Sequence, residues 1–386
     1  MKMSGRERAL AAMNNQPVDR IAQYTPTVAC DVASAILGRP AFTGSPTLWY
    51  EQAKAHMRGG SAFAEFSAQI DEDLIALNRA MNMDVLRYGY RYDAKPVKQL
   101  DEYRFLYGNP DGEWEIWGYD PRAMNFSRVE TNIPPREVDD WPAIAKKLVA
   151  SYRKSCETIK ETAGVWEAKM QQRVGDEMLV VAPGGGFSVG LDEGAMMAVL
   201  LEKEAVADIL DGQLELALAG LEALAGRGIR AVLGGGDMAD NSGTMYSPES
   251  FYELQMPRLK KFSARARELG IHYCWRSDGN LWGITDYLFE EAGIPGFGEV
   301  DYLAGMTAAK LRQRYPKLVL WANAAGDTLR RFSPEVVYDQ SMAILEGAGP
   351  TGHLFGCSNT ILPGTPVENV EAMMRACDDY SKRLQK

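Results

Sequence analysis

The sequence has 386 residues, of which 46% are hydrophobic and 24% are charged. These values are close to globular averages, so they exclude a disordered chain, a fibrous repeat and a coiled coil, and they predict a sizeable buried core. The formal net charge is −10, and no cluster of Lys and Arg is interleaved with aromatic residues. Such a surface repels a phosphate backbone, which excludes nucleic acid as the expected partner.

The amino-terminal segment MKMSGRERALAAMNNQPVDR lacks the apolar core of a signal peptide. No stretch reaches the roughly 20 apolar residues that a helix needs to cross a bilayer. The five cysteines are far apart and form no CxxC pair, so neither a disulfide framework nor a zinc ribbon is indicated. We therefore expect a cytoplasmic protein that does not associate with a membrane.

Eight short apolar runs predict the strands of a parallel barrel. Longer helical patterns separate them, which is the rhythm of βα units. Because eight parallel strands close a barrel, we predict an α/β fold, a single (β/α)8 TIM-type barrel domain over residues 1–386. In chain order the runs are RIAQYTP near residue 20, DVLRYGYR near residue 84, and then MLVVAP, IRAVLGGG, IHYCWRS, GFGEV, KLVLWANA and HLFGCS from residue 178 onward.

An insertion is predicted at residues 103–119, where two strand-like runs flank an Asn-Pro-Asp-Gly turn. We expect this β-hairpin to lie over the mouth of the barrel. Helix starts are predicted at Ser247-Pro248, Ser333-Pro334 and Thr365-Pro366, each a hydroxyl residue before proline. The last of them also has the pattern of a capping box with Glu368.

Active groups of such barrels lie at the carboxyl ends of the strands, so the polar residues at those ends are the candidates. The types found suit acid–base work by carboxylates, an arginine clamp on an anion, and a cysteine acting as nucleophile or metal ligand. The predicted catalytic set is Asp237, Arg276, Asp278, Glu299 and Cys357.

Structural roles are the alternative for each of these residues. Asp278 precedes Gly279 and could form an Asx turn. Cys357 could be a small buried hydrophobe, and Arg276 and Glu299 could simply pair with each other. The glycine runs at 183–186 and 233–237 are interpreted first as tight turns at the mouth and second as ligand contacts, because no dinucleotide or P-loop pattern follows them.

Several segments resemble the uroporphyrinogen decarboxylase superfamily, and its methyltransferase branch more than the decarboxylase. SGRERALAAMNNQPVDRI is similar to the opening of those methyltransferases, and RSDGN at 276–280 is similar to their HSDGN or HxCGN segment. GCSNTILPGTPVENVEAM is similar to their last strand, loop and helix. The resemblance implies a barrel that passes methyl groups with a corrinoid, either free cobalamin or one bound to a partner protein.

Methyltransferases of this kind often hold zinc through the His and Cys of HxC, a late Cys and a Glu. In this sequence the matching positions are Arg276, Asp278, Cys357 and Glu299. Arginine stays protonated and has no lone pair to donate, so zinc of the usual composition is doubtful. A reduced metal site of Asp278, Glu299 and Cys357 remains open, with water or substrate as the fourth ligand.

Another register would use His272 and Cys274 as metal ligands, but it places them deeper in the barrel. We assign His272 instead, together with Asn323 and Tyr246, to substrate binding.

Three functions follow from the sequence. The first is a corrinoid-dependent methyltransferase that demethylates an O-methyl donor such as an aryl methyl ether, or an N-methyl donor. The second is a cofactor-free decarboxylase or lyase on the same barrel, and the third is a barrel that binds a small ligand without catalysis. A small-molecule methyl donor and a corrinoid protein are the expected partners, and a homodimer is left open.

Overall fold

The computed structural model describes residues 2–44, 46–321 and 323–385. In chain order its strands are β1 Ala22–Gln23, β2 Thr27–Val28, β3 Val85–Arg87, β4 Lys98–Gln99, β5 Arg104–Gly108, β6 Trp114–Asp120, β7 Asn125–Thr131, β8 Leu179–Pro183, β9 Ala231–Gly235, β10 His272–Arg276, β11 Gly296–Gly298, β12 Val319–Trp321, β13 His353–Phe355 and β14 Thr360–Ile361.

Fourteen α-helices are found among the described residues. They are α1 Gly5–Met13, α2 Cys30–Leu37, α3 Thr47–Arg58, α4 Gly60–Ala80, α5 Trp141–Thr162, α6 Val165–Val174, α7 Glu193–Leu201, α8 Lys203–Gly226, α9 Pro248–Leu254, α10 Met256–Glu268, α11 Ala308–Arg314, α12 Gly326–Arg331, α13 Pro334–Ala348 and α14 Val367–Leu384. A 3₁₀ turn at Val138–Asp140 and a π-helical turn at Tyr287–Glu291 complete the helical segments.

Eight strands form one parallel sheet in the order β1-β13-β12-β11-β10-β9-β8-β3. The two outer strands meet, because the Asp84 amide donates to the Gln23 carbonyl at 2.9 Å and so closes the ring between β3 and β1. Each barrel strand lies within one of the eight runs predicted from the sequence. The (β/α)8 barrel is therefore confirmed.

Side chains alternate between the inside of the barrel and the helix layer, as expected for a closed sheet. Val85, Val181, Leu233 and Cys274 belong to one buried cluster inside the barrel, whereas Leu86 packs outward against α4 and α6. Because side chains alternate, the residue two positions after each of these inward-facing residues also faces inward. It lies nearer the carboxyl end of its strand. This periodicity determines which side chains line the mouth.

Helix α1 covers the amino end of the barrel with Ala9, Ala12 and Met13. It is fixed there by Arg8, which is 2.6 Å from both Asp19 and Asp84. The segment SGRERALAAMNNQPVDRI, which contains both Arg8 and Asp19, thus closes the face opposite the mouth. It has a structural role at that end.

The predicted hairpin is confirmed as β5 and β6, and it belongs to a larger antiparallel sheet of order β4-β5-β6-β7. An aromatic layer joins this sheet to α3, where Tyr50 stacks on Tyr119 with ring centroids 4.2 Å apart. The chain enters the sheet from the carboxyl end of β3. From this region Tyr90, between β3 and β4, lies against the arginines of the mouth.

Two of the three predicted helix starts have the expected boundary. The Ser247 side chain caps α9 by accepting from the Ser250 amide at 3.1 Å, and α13 begins at Pro334 after Ser333. The capping box at Thr365 is wrong, because the Thr365 hydroxyl donates back to the Leu362 carbonyl at 2.8 Å. Within the described part of the chain, no helix has the length and apolar character that crossing a membrane requires.

Candidate active site

The polar residues at the strand ends come together at the carboxyl face of the barrel. Arg276 is the last residue of β10, in register with Gly235 of β9 and Gly298 of β11. Glu299 directly follows β11 and Asp237 lies two residues beyond β9. Parallel strands direct their ends to one face, which is why separate segments supply one site.

The loops after β9 and β10 are bonded to each other. The Met238 amide donates to the Ser277 hydroxyl at 3.0 Å, and the Asn280 amide donates to the Asp240 carbonyl at 2.7 Å. Gly279 has φ +87°, and a Cβ there would lie 2.4 Å from the Ala239 carbonyl oxygen. Only glycine permits this close approach, which brings Asp237 and Asp278 together.

Three carboxylates form a cluster at this point: oxygens of Asp237, Asp278 and Glu299 all lie within 4.8 Å of one another. Burial raises the pKa of Asp278, and the neighbouring charge of Asp237 raises it further. The Asn359 amide donates to Asp278 at 3.2 Å. The Asx turn considered for Asp278 is formed instead by Asn280, whose side chain accepts from the Trp282 amide.

Glu299 is the most deeply buried of the three carboxylates, with 2% of its side chain exposed. Burial raises its pKa to about 7; the charge of Arg276 opposes the shift, and that of Asp278 adds to it. Its Oε1 accepts from Arg276 at 2.5 Å, whereas its Oε2 has no hydrogen-bond partner among the described residues. Glu299 also has φ +73°, a conformation that non-glycine residues adopt at an energetic cost, often at functional sites.

Arg276 is held between Glu299 and an aromatic ring. Its guanidinium carbon lies 5.9 Å from the centre of the Tyr90 ring. Burial disfavours its charge, but Glu299 and Tyr90 outweigh this effect and raise the pKa of Arg276. The side chain is 18% exposed, so part of the group remains open to a ligand.

A second arginine, Arg87, was not assigned to the site from the sequence. It is the last residue of β3, two positions after the inward-facing Val85. Its guanidinium donates to the Tyr90 hydroxyl at 3.2 Å and lies 4.6 Å from the centre of that ring. The alternation along DVLRYGYR was the signal that could have identified it.

A cavity of about 560 Å³ opens beside the two arginines. Arg87 and Arg276 line it together with Gly184–Gly186 and Gly235, and the helices α5 and α8 form its other wall. A Cβ on Gly235 would lie 2.0 Å from the Arg276 carbonyl oxygen, and the φ of Gly235 is +150°. The glycine runs are therefore tight turns at the mouth, as predicted, and they also border the cavity.

Residues 143–380 match the sequence signature of the family described as "Uroporphyrinogen decarboxylase (URO-D)". The chain belongs to the uroporphyrinogen decarboxylase family. The resemblance deduced from the opening, RSDGN and closing segments is thereby confirmed at the level of the family.

A methyltransferase from Methanosarcina mazei has a similar structure, with a TM-score of 0.64, 17% sequence identity, and coverage of 98% of this chain and 99% of that one. At this identity the likeness shows a shared fold. A B12-independent methionine synthase from Shewanella sp. W3-18-1 aligns over 93% of this chain and 97% of its own, with 11% identity and a TM-score of 0.38. No curated protein matches the sequence at a significant level.

The metal-ligand set expected within this family is altered in the structure. Among the described residues, the group that could hold a cation is Asp237, Asp278 and Glu299, so Asp237 takes the place predicted for Cys357. All three donors are oxygens, and Arg276 already binds one oxygen of Glu299. Zinc that activates thiols prefers Cys and His ligands, and a guanidinium beside the cluster repels any cation. The residues present do not fit such a zinc ion.

Cys357 follows β13, as predicted, but it is completely buried. The predicted role as nucleophile or metal ligand requires an accessible thiol, but backbone contacts hold this residue inside: Cys357 pairs with Ala324, and its amide donates to the Thr25 hydroxyl. Burial raises the pKa of its thiol to about 12. A buried, protonated thiol is a poor nucleophile in this conformation.

The three residues predicted to bind substrate lie in different parts of the barrel. His272 is the first residue of β10 and Arg276 the last, so His272 lies at the amino end and its assignment to the mouth is wrong. The Tyr246 hydroxyl donates to the Gly190 carbonyl at 3.2 Å. Asn323 lies two residues beyond β12, where it donates to the Trp321 carbonyl, and its Oδ1 has no partner in the described part of the chain.

Proposed function

We propose that the protein is a methyltransferase that takes a methyl group from an oxygen-linked donor, such as an aryl methyl ether, and passes it to a corrinoid. The observation that carries this proposal is the Glu299–Arg276 pair, in which one oxygen of a buried carboxyl group is hydrogen-bonded and the other has no partner among the described residues. It occupies the positions where methyltransferase relatives carry soft metal ligands. Membership of the family and the fold shared with a methyltransferase support the same reaction class.

An ether oxygen needs help to depart, because the alkoxide or phenolate that forms is a poor leaving group. A positioned acid supplies that help by donating a proton as the carbon–oxygen bond breaks. Glu299 suits this role because a pKa of about 7 keeps much of the group protonated near neutral pH. A surface glutamate would be almost fully ionised at that pH.

The two oxygens of Glu299 have separate roles in this mechanism. Oε1 accepts from Arg276 and stays unprotonated, so the proton resides on Oε2, for which the described residues offer no partner. As the methyl group leaves, the bonding electrons pass to the donor oxygen and the proton of Oε2 moves to it. Arg276 then stabilises the glutamate anion until solvent returns a proton.

The reduced corrinoid supplies the nucleophile that accepts the methyl group, and we treat it as a second substrate. A corrinoid protein is the proposed carrier, and its access is through the carboxyl face. The loop after Glu299 presents Tyr302 and Leu303 there, with exposures of 39% and 57%. Apolar side chains of this size are suited to contact with a partner protein.

A carboxy-lyase is the second candidate, favoured by the same pair. A buried acid could protonate the carbon left after loss of carbon dioxide, and an arginine could hold the departing carboxylate. This chemistry needs no corrinoid. The two candidate reactions can therefore be distinguished by whether they require a corrinoid.

The test is incubation of the purified protein with reduced cobalamin and a panel of methyl aryl ethers, with the corrin absorbance followed over time. The proposal predicts a change to the methylated spectrum and release of the free phenol. Parallel incubations with aromatic carboxylic acids and no corrinoid measure carbon dioxide. Release of carbon dioxide without any change in corrin absorbance would contradict methyl transfer and support the lyase.

A further inference from the structure

We propose that Arg87 is a substrate-binding residue that forms, with Arg276, a pocket for the carboxylate of an aromatic acid. The inference deepens the proposed function and rests on it for the reaction, because it names the class of methyl donor. It depends on the charge balance, the donors and the space at the barrel mouth.

Arg87 is partly buried, and its positive charge has no matching anion among the described residues. No carboxylate there lies within ion-pair distance of it, and its guanidinium lies beside the hydroxyls of Tyr90, at 3.2 Å, and of Tyr24. Arg91, four residues later, shows the usual arrangement, since it lies 2.6 Å from Asp71. A charge that is partly withdrawn from water without a partner is costly, so this arginine at the edge of a cavity indicates that an anion completes the site.

Two further donors lie close to Arg87. The Tyr24 hydroxyl interacts with its guanidinium, and the rings of Tyr24 and Trp321 meet edge to face at 4.4 Å. Tyr24 directly follows β1 and Trp321 ends β12. The Trp321 indole N–H is buried and has no hydrogen-bond partner among the described residues. Two guanidinium groups, a hydroxyl and an N–H suit a ligand that accepts hydrogen bonds, as a carboxylate does.

Space for the ligand is the cavity of about 560 Å³ that Arg87 and Arg276 line together. Gly184–Gly186 and Gly235 border it without side chains, and the opposite wall includes Leu221 and Leu224 of α8. An apolar wall with a few convergent polar groups suits the ring and the carboxylate of an aromatic acid.

The charges favour a monoanion over a phosphate. Glu299 already engages Arg276 at 2.5 Å, and Asp278 lies in the same cluster. A dianion would be repelled by the two aspartates of this cluster, Asp237 and Asp278, whereas one carboxylate balances the charge of Arg87. Guanidinium groups also match the two oxygens of a carboxylate in a planar, bidentate manner.

The experiment measures binding by calorimetry in the absence of corrinoid, with 4-methoxybenzoate, 4-methoxybenzamide and 4-methoxyphenyl phosphate as probes. We expect the wild type to bind the benzoate at least tenfold more tightly than the amide or the phosphate. Arg87→Gln should weaken benzoate binding by ten- to a hundredfold and leave amide binding within twofold. The affinity of Arg87→Lys for the benzoate should lie between those of the wild type and Arg87→Gln, since lysine keeps the charge but not the planar donors.

Arg128→Gln is the matched control, because it removes an exposed arginine of the antiparallel sheet β4-β5-β6-β7. It should bind all three probes as the wild type does. Equal binding of acid and amide by the wild type would overturn the inference, whatever the folding of the variants. Retention of the acid preference in a folded Arg87→Gln protein, or tighter binding of the phosphate, would also overturn it. Acid preference without methyl transfer would refute only the proposed function, and methyl transfer without acid preference would refute only this inference.

Discussion

The raised pKa of Glu299 has a direct consequence for stability. A carboxyl group whose pKa rises on folding stabilises the native state fully below its unfolded pKa, and this contribution is lost as pH rises through the folded value. For Glu299 the two values are 4.5 and about 7. The contribution of Glu299 to the free energy of unfolding should therefore decrease by about 3 kcal/mol between about pH 4.5 and 7.

Glu299→Gln removes this titration but keeps the size of the side chain. We expect the difference in unfolding free energy between variant and wild type to shift in favour of the variant by about 3 kcal/mol from pH 4.5 to pH 8. Urea denaturation at a series of pH values measures it, and infrared difference spectra of the carboxyl stretch locate the titration. Glu290→Gln, an exposed glutamate on the π-helical turn, is the control. Parallel stability curves for Glu299→Gln and wild type would refute a raised pKa.

Three further outcomes are expected. Arg276→Lys should keep its fold but lose roughly ten- to a hundredfold in turnover, since a charge-assisted contact is worth about 1.5–3 kcal/mol; full activity would show that the planar guanidinium is dispensable. A thiol reagent should modify Cys156, which is partly exposed, before the buried Cys357, and faster labelling of Cys357 would contradict its burial. Metal analysis of the purified wild type should find less than stoichiometric zinc, because the ligands are oxygens beside Arg276; one zinc per chain would show that the guanidinium does not exclude it.

Much of the fold could be predicted from the sequence because each barrel strand is a short apolar run between helical patterns. The location of the site followed from the same pattern, since parallel strands end at one face. Arg276 and Glu299 were placed correctly for this reason. Each lies at the end of its strand or one residue beyond it.

The errors arose where position depends on contacts distant in sequence. Cys357 follows a strand, but its burial depends on pairing with Ala324. Asp237 was predicted at the mouth but not among the metal ligands, and it joins the carboxylate cluster because Gly279 lets two loops approach each other. His272 was misplaced because a five-residue strand separates its two ends by about 13 Å, at about 3.3 Å for each residue.

The most direct test of the account compares wild type and Glu299→Gln on methyl aryl ethers whose phenols differ in pKa, with corrin absorbance as the readout. If Glu299 protonates the departing oxygen, its loss should slow transfer by about a hundredfold or more for a poor leaving group such as an alkylphenol. The loss should be small for a nitrophenol, which departs as the anion, and Glu290→Gln should match the wild type throughout. An equal loss for all donors, or none, would contradict the assignment of Glu299 as the acid of a methyl transfer.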